Sequence, residues 1–201
     1  MVKPKDVQDF LDFLYCSSVL EEKTFLLYGN LAEKARMPLV KALLLHIAYD
    51  SAKHAAILQG IGKSIGNSKV KTKDCEKKLG ETWGAINDLL RELTRKEKVQ
   101  NGDLPSILGE LRSLESTMGE EYYMLVELKT LQFMTNEIRE KYNVDLVDLK
   151  DILEEMIKDE EKHIELLATV TKILSSPKEK EKENTPVVRY QSPDSWARPS
   201  E

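Results

Sequence analysis

Four long stretches of the chain carry apolar residues at alternating steps of three and four, the spacing of one face of an α-helix. They cover approximately residues 4–36, 38–65, 103–141 and 145–175. Met37-Pro38 separates the first two stretches, because the residue before a proline is pushed out of the helical region. The segment Tyr142-Asn143-Val144 separates the last two. The pattern therefore predicts two long helical hairpins, each closed by a short turn.

The connection between the two hairpins is long enough to contain a helix of its own. Gly66-Asn67 ends the second stretch, a shorter helix is predicted over about 74–95, and Asp103 is placed to cap the third long helix. Two hairpins joined by one long crossover are typical of a four-helix bundle. We expect an all-α bundle over residues 1–176, with a short extra helix in its crossover.

The chain changes character after the predicted bundle. Residues 177–184 are dominated by alternating lysine and glutamate, the composition of a disordered linker. Residues 185–201 then contain Tyr190 and Trp196, which a purely disordered terminus has little reason to keep. We expect 177–201 to be a linker and tail that docks on a protein partner or a protein shell, or alternatively folds back on its own bundle.

Composition agrees with a helical protein and excludes several functions. Only 9 glycines and 7 prolines occur among 201 residues, which argues against a β-sandwich. The net charge of -5 gives no reason to expect nucleic acid or an anionic membrane as a partner. No apolar run approaches the roughly 20 residues of a membrane span. No apolar signal region follows the N-terminal charges, so we expect a soluble, cytoplasmic protein.

Cys16 and Cys75 are the two cysteines of the chain. Two cysteines cannot form a four-cysteine zinc or iron–sulfur site, and the chain has no Cys-x-x-Cys motif. This excludes an electron-transfer module of the four-cysteine type. We expect both residues to be buried thiols in a reducing compartment.

Polar residues interrupt each apolar stripe near the middle of its helix. In chain order the interrupting side chains are Glu21, Asp50, His54, Glu121, Glu160 and His163. A buried carboxylate without a partner costs several kcal/mol, and four that converge would repel one another. No lysine or arginine lies on the stripes at the same level to neutralise them.

Two divalent cations would balance the charge of four such carboxylates. A mixture of imidazole and carboxylate ligands suits iron, manganese or zinc. The positions of these residues relative to the two predicted turns also place antiparallel partners at similar heights, within about one helical turn. The sequence therefore predicts a metal centre at mid-height of the bundle.

This arrangement resembles the ferritin-like di-iron carboxylate proteins, especially rubrerythrin-like or erythrin members without a rubredoxin module. The matching features are Glu21 with Tyr28 seven positions on, Asp50 with His54, Glu121, and the sequence Glu160-Glu161-Lys162-His163. The resemblance implies two iron ions, peroxidase or ferroxidase chemistry in oxidative-stress defence or iron handling, and a homo-oligomer of two or more chains. Segment 50–54 (Asp-Ser-Ala-Lys-His) also echoes segment 159–163 (Asp-Glu-Glu-Lys-His).

The chain departs from the family pattern in the second helix. Where the family has glutamate three positions before the histidine, this chain has Ser51, and Asp50 is the nearest carboxylate on the same helical face. This departure supports an alternative function, a ferritin-like scaffold or binding protein that has a degenerate metal site and acts through its tail.

The third helix offers three candidate carboxylates. Glu115 copies the seven-residue spacing to a tyrosine, Glu121 lies nearest the centre of the apolar stripe, and Glu127 best fits the distance to the turn. We take Glu121 as the predicted ligand. Tyr28 is interpreted either as a hydrogen-bond donor to a ligating carboxylate or as a core residue, and His46 as a structural residue.

Overall fold

The computed structural model describes residues 4–95, 104–124 and 146–175, without the side chains of residues 4–6, 121, 123–124 and 146–149. The described residues form five α-helices, one short 3-10 turn and no strand. The helices are α1 (Pro4–Lys34), α2 (Pro38–Ile65), α3 (Cys75–Arg95), α4 (Leu104–Met124) and α5 (Leu146–Ser175). The predicted all-α architecture is confirmed, and α3 is the predicted extra helix of the crossover.

The turn between α1 and α2 forms where the sequence predicts it. Met37 has an extended backbone, with φ -86° and ψ 122°, because Pro38 excludes the helical region for the residue before it. Pro38 then begins α2 at a position where no helical N–H is needed. At the other end of α2, the Gly66 N–H donates to the Gly62 carbonyl at 2.8 Å. Local signals thus set both ends of this hairpin.

Helix α3 lies in the crossover and packs mainly against α1. The 3-10 turn Thr72–Asp74 leads directly into it. Gly80 bends α3 with φ 56° and ψ -127°, a left-handed conformation that favours glycine because it has no Cβ atom. Trp83, Ile86 and Leu93 are buried on one face of α3 and join the main apolar core. The crossover is therefore part of the packed structure.

The structure contradicts the prediction of two free thiols. Cys16 of α1 and Cys75 of α3 are fully buried and form a disulfide, with their Cα atoms 5.3 Å apart. The packing of α3 on α1 brings together these two residues, which are 59 positions apart in the sequence. Because persistent disulfides are typical of oxidising compartments, the cysteines do not support the predicted reducing, cytoplasmic location.

A polar layer separates two apolar clusters inside the bundle. Helix α1 pairs with α2, α4 pairs with α5, and α2 also contacts α5. One cluster contains Leu27, Leu44 and Leu167, and the other contains Leu14, Leu58 and Met156. The residues between these clusters along α1, α2 and α5 include buried polar side chains, namely Glu21, Ser51, His54, Glu160 and His163. The fold thus places four of the six predicted polar residues, Glu21, His54, Glu160 and His163, at its centre.

Two further predictions concern membranes and the tail. Among the described helices, none is long and apolar enough to cross a membrane. The linker and tail predicted for 177–201 lie outside the described residues, as does Glu127. The division into a bundle over 1–176 and a docking tail therefore stays a prediction.

Candidate metal centre

Helices α1, α2 and α5 bring together three buried side chains that are typical metal ligands. Glu21, His54 and Glu160, here called the His54 group, have ligand atoms within 4.8 Å of one another. The Nδ1 atom of His54 lies 3.0 Å from Glu160 Oε1 and 3.4 Å from Glu21 Oε1. All three residues are at most 1% exposed. Two carboxylates and one imidazole nitrogen form a donor set that suits iron, manganese or zinc.

A second set, the His163 group, is formed by Glu115 of α4 with Glu160 and His163 of α5. The Nδ1 atom of His163 lies 2.9 Å from Glu115 Oε2 and 3.4 Å from Glu160 Oε2. The two imidazole ring centroids are 6.1 Å apart. Glu160 belongs to both groups, with Oε1 near His54 and Oε2 near His163. It is therefore the shared carboxylate of two adjacent candidate metal positions.

One aspartate contacts the outer ring nitrogen, Nε2, of each histidine. His54 Nε2 lies 3.1 Å from Asp159 Oδ2, and His163 Nε2 lies 3.3 Å from Asp50 Oδ2. Lys53 joins the aspartates, since its Nζ donates to Asp50 Oδ1 at 2.8 Å and to Asp159 Oδ2 at 2.6 Å. When Nε2 is bound in this way, Nδ1 is the nitrogen left to face a metal ion. The aspartates therefore orient both imidazoles.

Two buried tyrosines donate hydrogen bonds to the glutamates that are not shared. The Tyr28 hydroxyl of α1 donates to Glu115 Oε1 of α4, and the Tyr122 hydroxyl of α4 donates to Glu21 Oε1 of α1. Burial, followed by the negative charge of Glu115, raises the pKa of Tyr28 well above its usual value. Tyr28 therefore stays protonated and acts as a donor. Each tyrosine thus holds a glutamate carboxylate of the opposite hairpin in position.

The centre has an internal repeat, in which the two helical hairpins contribute equivalent residues. Glu21 and Tyr28 of α1 have the same seven-residue spacing as Glu115 and Tyr122 of α4. The segments 50–54 of α2 and 159–163 of α5 align residue by residue, with an aspartate first, a lysine fourth and a histidine fifth. Each donor contacts an acceptor in the other half. Ser51, whose counterpart is Glu160, is the ligand position at which the repeat breaks.

Several buried polar atoms of the centre have no hydrogen-bond partner. They are Glu21 Oε2, His54 Nδ1 and both carboxylate oxygens of Glu160. Such atoms cost free energy when they are removed from water and left unpaired. All of them are on residues of the His54 group, and Glu160 Oε2 also lies 3.4 Å from His163 Nδ1, so cations bound in the two groups would satisfy them. The residues present therefore fit a metal ion.

The family model of rubrerythrin matches residues 12–127, which is more than half of the chain. The chain belongs to the rubrerythrin family. The resemblance seen in the sequence is thereby confirmed, and with it the ferritin-like fold. The matched range includes Glu21, His54 and Glu115 but ends before α5, which carries Glu160 and His163. No curated protein and no solved structure matches the chain.

The charges of this rubrerythrin-family centre are strongly coupled. Burial alone lowers the pKa of His54, but Glu160 and Glu21 together raise it to about 10. In the same way, burial lowers the pKa of His163, but Glu115 and Glu160 raise it to about 11. Burial and the neighbouring charge of Glu115 raise the pKa of Glu160 to about 8. Without a metal ion, therefore, both imidazoles are protonated at neutral pH. Their positive charges then balance part of the negative charge of the glutamates.

The structure brings together some of the predicted ligands and separates others. Glu21, His54, Glu160 and His163 meet in the two groups. Asp50 belongs to neither group, because it lies on the outer side of the His163 ring and contacts its Nε2 atom. The side chain of Glu121 lies outside the described side chains, so its assignment as a ligand stays a prediction. His46 is exposed and lies 3.6 Å from Asp50, apart from both groups.

Three residues of the centre were not selected from the sequence. Glu115 had the correct spacing to a tyrosine, but the apolar stripe favoured Glu121. Tyr122 lies seven positions after Glu115 and so repeats the relation of Tyr28 to Glu21. Asp159 repeats Asp50 and contacts His54 in the same way as Asp50 contacts His163. In all three cases the internal repeat was the available signal.

Metal binding is expected to strengthen as pH rises, and this dependence should continue above pH 7. An ion must displace a proton from each histidine, so affinity should rise about tenfold per pH unit for each ion bound. Because the pKa values of His54 and His163 lie near 10 and 11, the rise persists through pH 8. Cobalt titrations at pH 6, 7 and 8 would measure it. Histidines of ordinary pKa, about 6.5, would instead give a plateau above pH 7.

Proposed function

We propose that this chain is a di-iron carboxylate protein that reduces hydrogen peroxide or dioxygen, or oxidises ferrous iron. The observation that carries this proposal is the set of four buried ligand-type atoms of Glu21, His54 and Glu160 that have no hydrogen-bond partner. The His54 group and the His163 group would each hold one ion, with Glu160 shared between them. When bound there, two ferrous ions would supply the electrons for reduction of an oxygen–oxygen bond. Manganese and zinc suit the same donors.

The surrounding residues of this chain support such a role by fixing the ligands. Asp159 and Asp50 hold the outer nitrogens of the histidines and so direct Nδ1 toward the metal positions. Tyr28 holds Glu115 Oε1 and leaves Oε2 beside His163. Tyr122 holds Glu21 Oε1, the oxygen that lies 3.4 Å from His54 Nδ1. Nearly complete burial of the ligands keeps bulk water away from the reacting oxygen species.

Metal analysis with an assay tests the proposal. We expect about two metal ions per chain after anaerobic purification in the presence of ferrous iron. Adding hydrogen peroxide should then oxidise added ferrous iron over many turnovers, followed by absorbance. The alternative function, a scaffold with a degenerate site, predicts that the chain binds no metal and shows no turnover. A chain that binds two ions without turnover would contradict the enzymatic part of the proposal.

Tyr28→Phe separates a donor role for this tyrosine from a packing role. The substitution keeps the buried ring and removes only the hydroxyl, which leaves Glu115 Oε1 without its donor. We expect the free energy of unfolding of the metal-free protein to fall by about 1–3 kcal/mol. Urea denaturation measures this change. Tyr49→Phe, at a side chain that is 50% exposed, is the control and should have little effect; an equally small effect of Tyr28→Phe would indicate packing alone.

We further propose that the chain works as a homo-oligomer, a dimer or larger, and that its tail contacts a protein partner or shell. The first proposal rests on the frequent oligomerisation of ferritin-like proteins. The second rests on the apolar and aromatic residues of the terminal segment, Val187, Val188, Tyr190 and Trp196.

A further inference from the structure

Because position 51 is a serine, α2 lacks the carboxylate that α5 has at the equivalent position. Ser51 is the counterpart of Glu160 in the internal repeat and is 1% exposed. Its hydroxyl donates to the Ile47 carbonyl of its own helix at 3.3 Å, as serines in helices commonly do. The Ser51 side chain is thus used within α2, and a short hydroxyl cannot replace the reach or the charge of a glutamate.

The consequence differs for the two histidines. Glu160 reaches from α5 to His54 of α2, so the His54 group receives a carboxylate from across the bundle. The symmetric carboxylate for His163 would come from position 51 of α2. Since that residue is serine, His163 has only Glu115 and the shared Glu160, which lies on its own helix. Each group therefore contains two carboxylates, but α5 supplies one to His54 of α2, whereas α2 supplies none to His163 of α5.

The hydrogen bonds of the two groups show the same inequality independently. Glu115 has a partner for each oxygen, Tyr28 on one and His163 on the other, and His163 also contacts Asp50 through its second nitrogen. A cation in the His163 group must therefore break the 2.9 Å contact between Glu115 and His163. In the His54 group the 3.0 Å ion-pair contact between His54 Nδ1 and Glu160 Oε1 lacks hydrogen-bond geometry, and Glu21 Oε2 has no partner, so a cation displaces fewer hydrogen bonds there.

We propose that Ser51 makes the two metal positions unequal, so that one ion binds tightly in the His54 group and a second binds weakly in the His163 group. This inference rests on the proposed di-metal function. It predicts two separate binding steps and a chain with one ion at low metal concentration. It also identifies position 51 as the residue that sets the affinity for the second ion.

Cobalt(II) titration of the full chain tests the proposal, with visible absorption and calorimetry as readouts. We expect two steps whose dissociation constants differ by at least about tenfold, since even residues outside the ligand set change metal affinity by about 10–100-fold. His54→Ala should remove the tight step. His163→Ala should remove the weak step and leave the tight step in place.

Ser51→Glu and Ser51→Gln form a matched pair of nearly equal volume that differs in charge. Ser51→Glu should lower the dissociation constant of the second step by at least about tenfold, because even residues outside the ligand set change metal affinity by about 10–100-fold. Ser51→Gln should leave the second step weak. Circular dichroism checks that both variants fold, and if the glutamate variant does not, the two histidine variants still decide the order of binding.

The outcomes separate this inference from the proposed function. A parent chain that binds no cobalt overturns both. Two ions bound with equal affinity overturn the inequality and leave the di-metal proposal intact. The same holds if His163→Ala removes the tight step and His54→Ala the weak one, because the order would then be reversed. Equal effects of Ser51→Glu and Ser51→Gln would overturn the role of the missing charge.

Discussion

Glu160→Gln is expected to weaken the binding of both metal ions with a single substitution. Glu160 is the only residue that belongs to both ligand groups of the described residues, and its two oxygens lie 3.0 Å from His54 and 3.4 Å from His163. Glutamine keeps the volume but removes the negative charge that both positions use. We expect a loss of affinity of at least about 100-fold at each position, the upper end of what residues outside the ligand set cause.

The same substitution should destabilise the metal-free bundle, because it leaves the buried His54 and His163 imidazoles without the carboxylate that lies 3.0 Å and 3.4 Å from them. Burial and the charge of Glu115 raise the pKa of Glu160 to about 8, so the carboxylate is itself costly in that place and offsets part of this loss. Metal content by elemental analysis and melting temperature with a chelator measure the two effects. Glu161→Gln, at the exposed neighbouring residue, is the matched control and should behave like the parent. Full metal content in Glu160→Gln would contradict the assignment of Glu160 as the shared ligand.

Replacing both Cys16 and Cys75 with alanine is expected to cause a large loss of stability. The disulfide joins residues 59 positions apart, and the chain-entropy relation for a loop of that length gives about 4 kcal/mol of stabilisation. Unfolding in urea, with the protein kept metal-free by a chelator, measures this difference. The reduced parent should unfold like the double variant, because neither then has the cross-link.

Metal binding provides the contrast for this second prediction. Helix α3 contributes no residue to either ligand group among the described residues, so the folded double variant should bind cobalt like the parent. A loss of stability below about 1 kcal/mol would show that the cross-link constrains the unfolded chain far less than expected. A loss of metal binding in the folded variant would show that the disulfide also positions Glu21, five residues after Cys16.

Local sequence signals determined the helices and much of their polar centre. Pro38 set the start of α2 because proline restricts both its own backbone and that of Met37, and these effects act over one or two residues. Four predicted ligands that meet in the structure, Glu21, His54, Glu160 and His163, were recognised because a charged or polar group in an apolar stripe is costly without a partner. Such information is contained in a single helix and needs no knowledge of its neighbours.

The partners of these residues were decided only by the tertiary structure. On α4, periodicity alone could not identify Glu115, because the side chains that face the centre depend on how that helix is rotated against α1 and α5. Asp50 became a partner of His163, 113 positions away, rather than a member of a ligand group. Cys16 and Cys75 became a disulfide rather than two thiols because α3 folds back on α1. Contacts between residues so far apart depend on how whole helices pack, which the pattern within each helix does not encode.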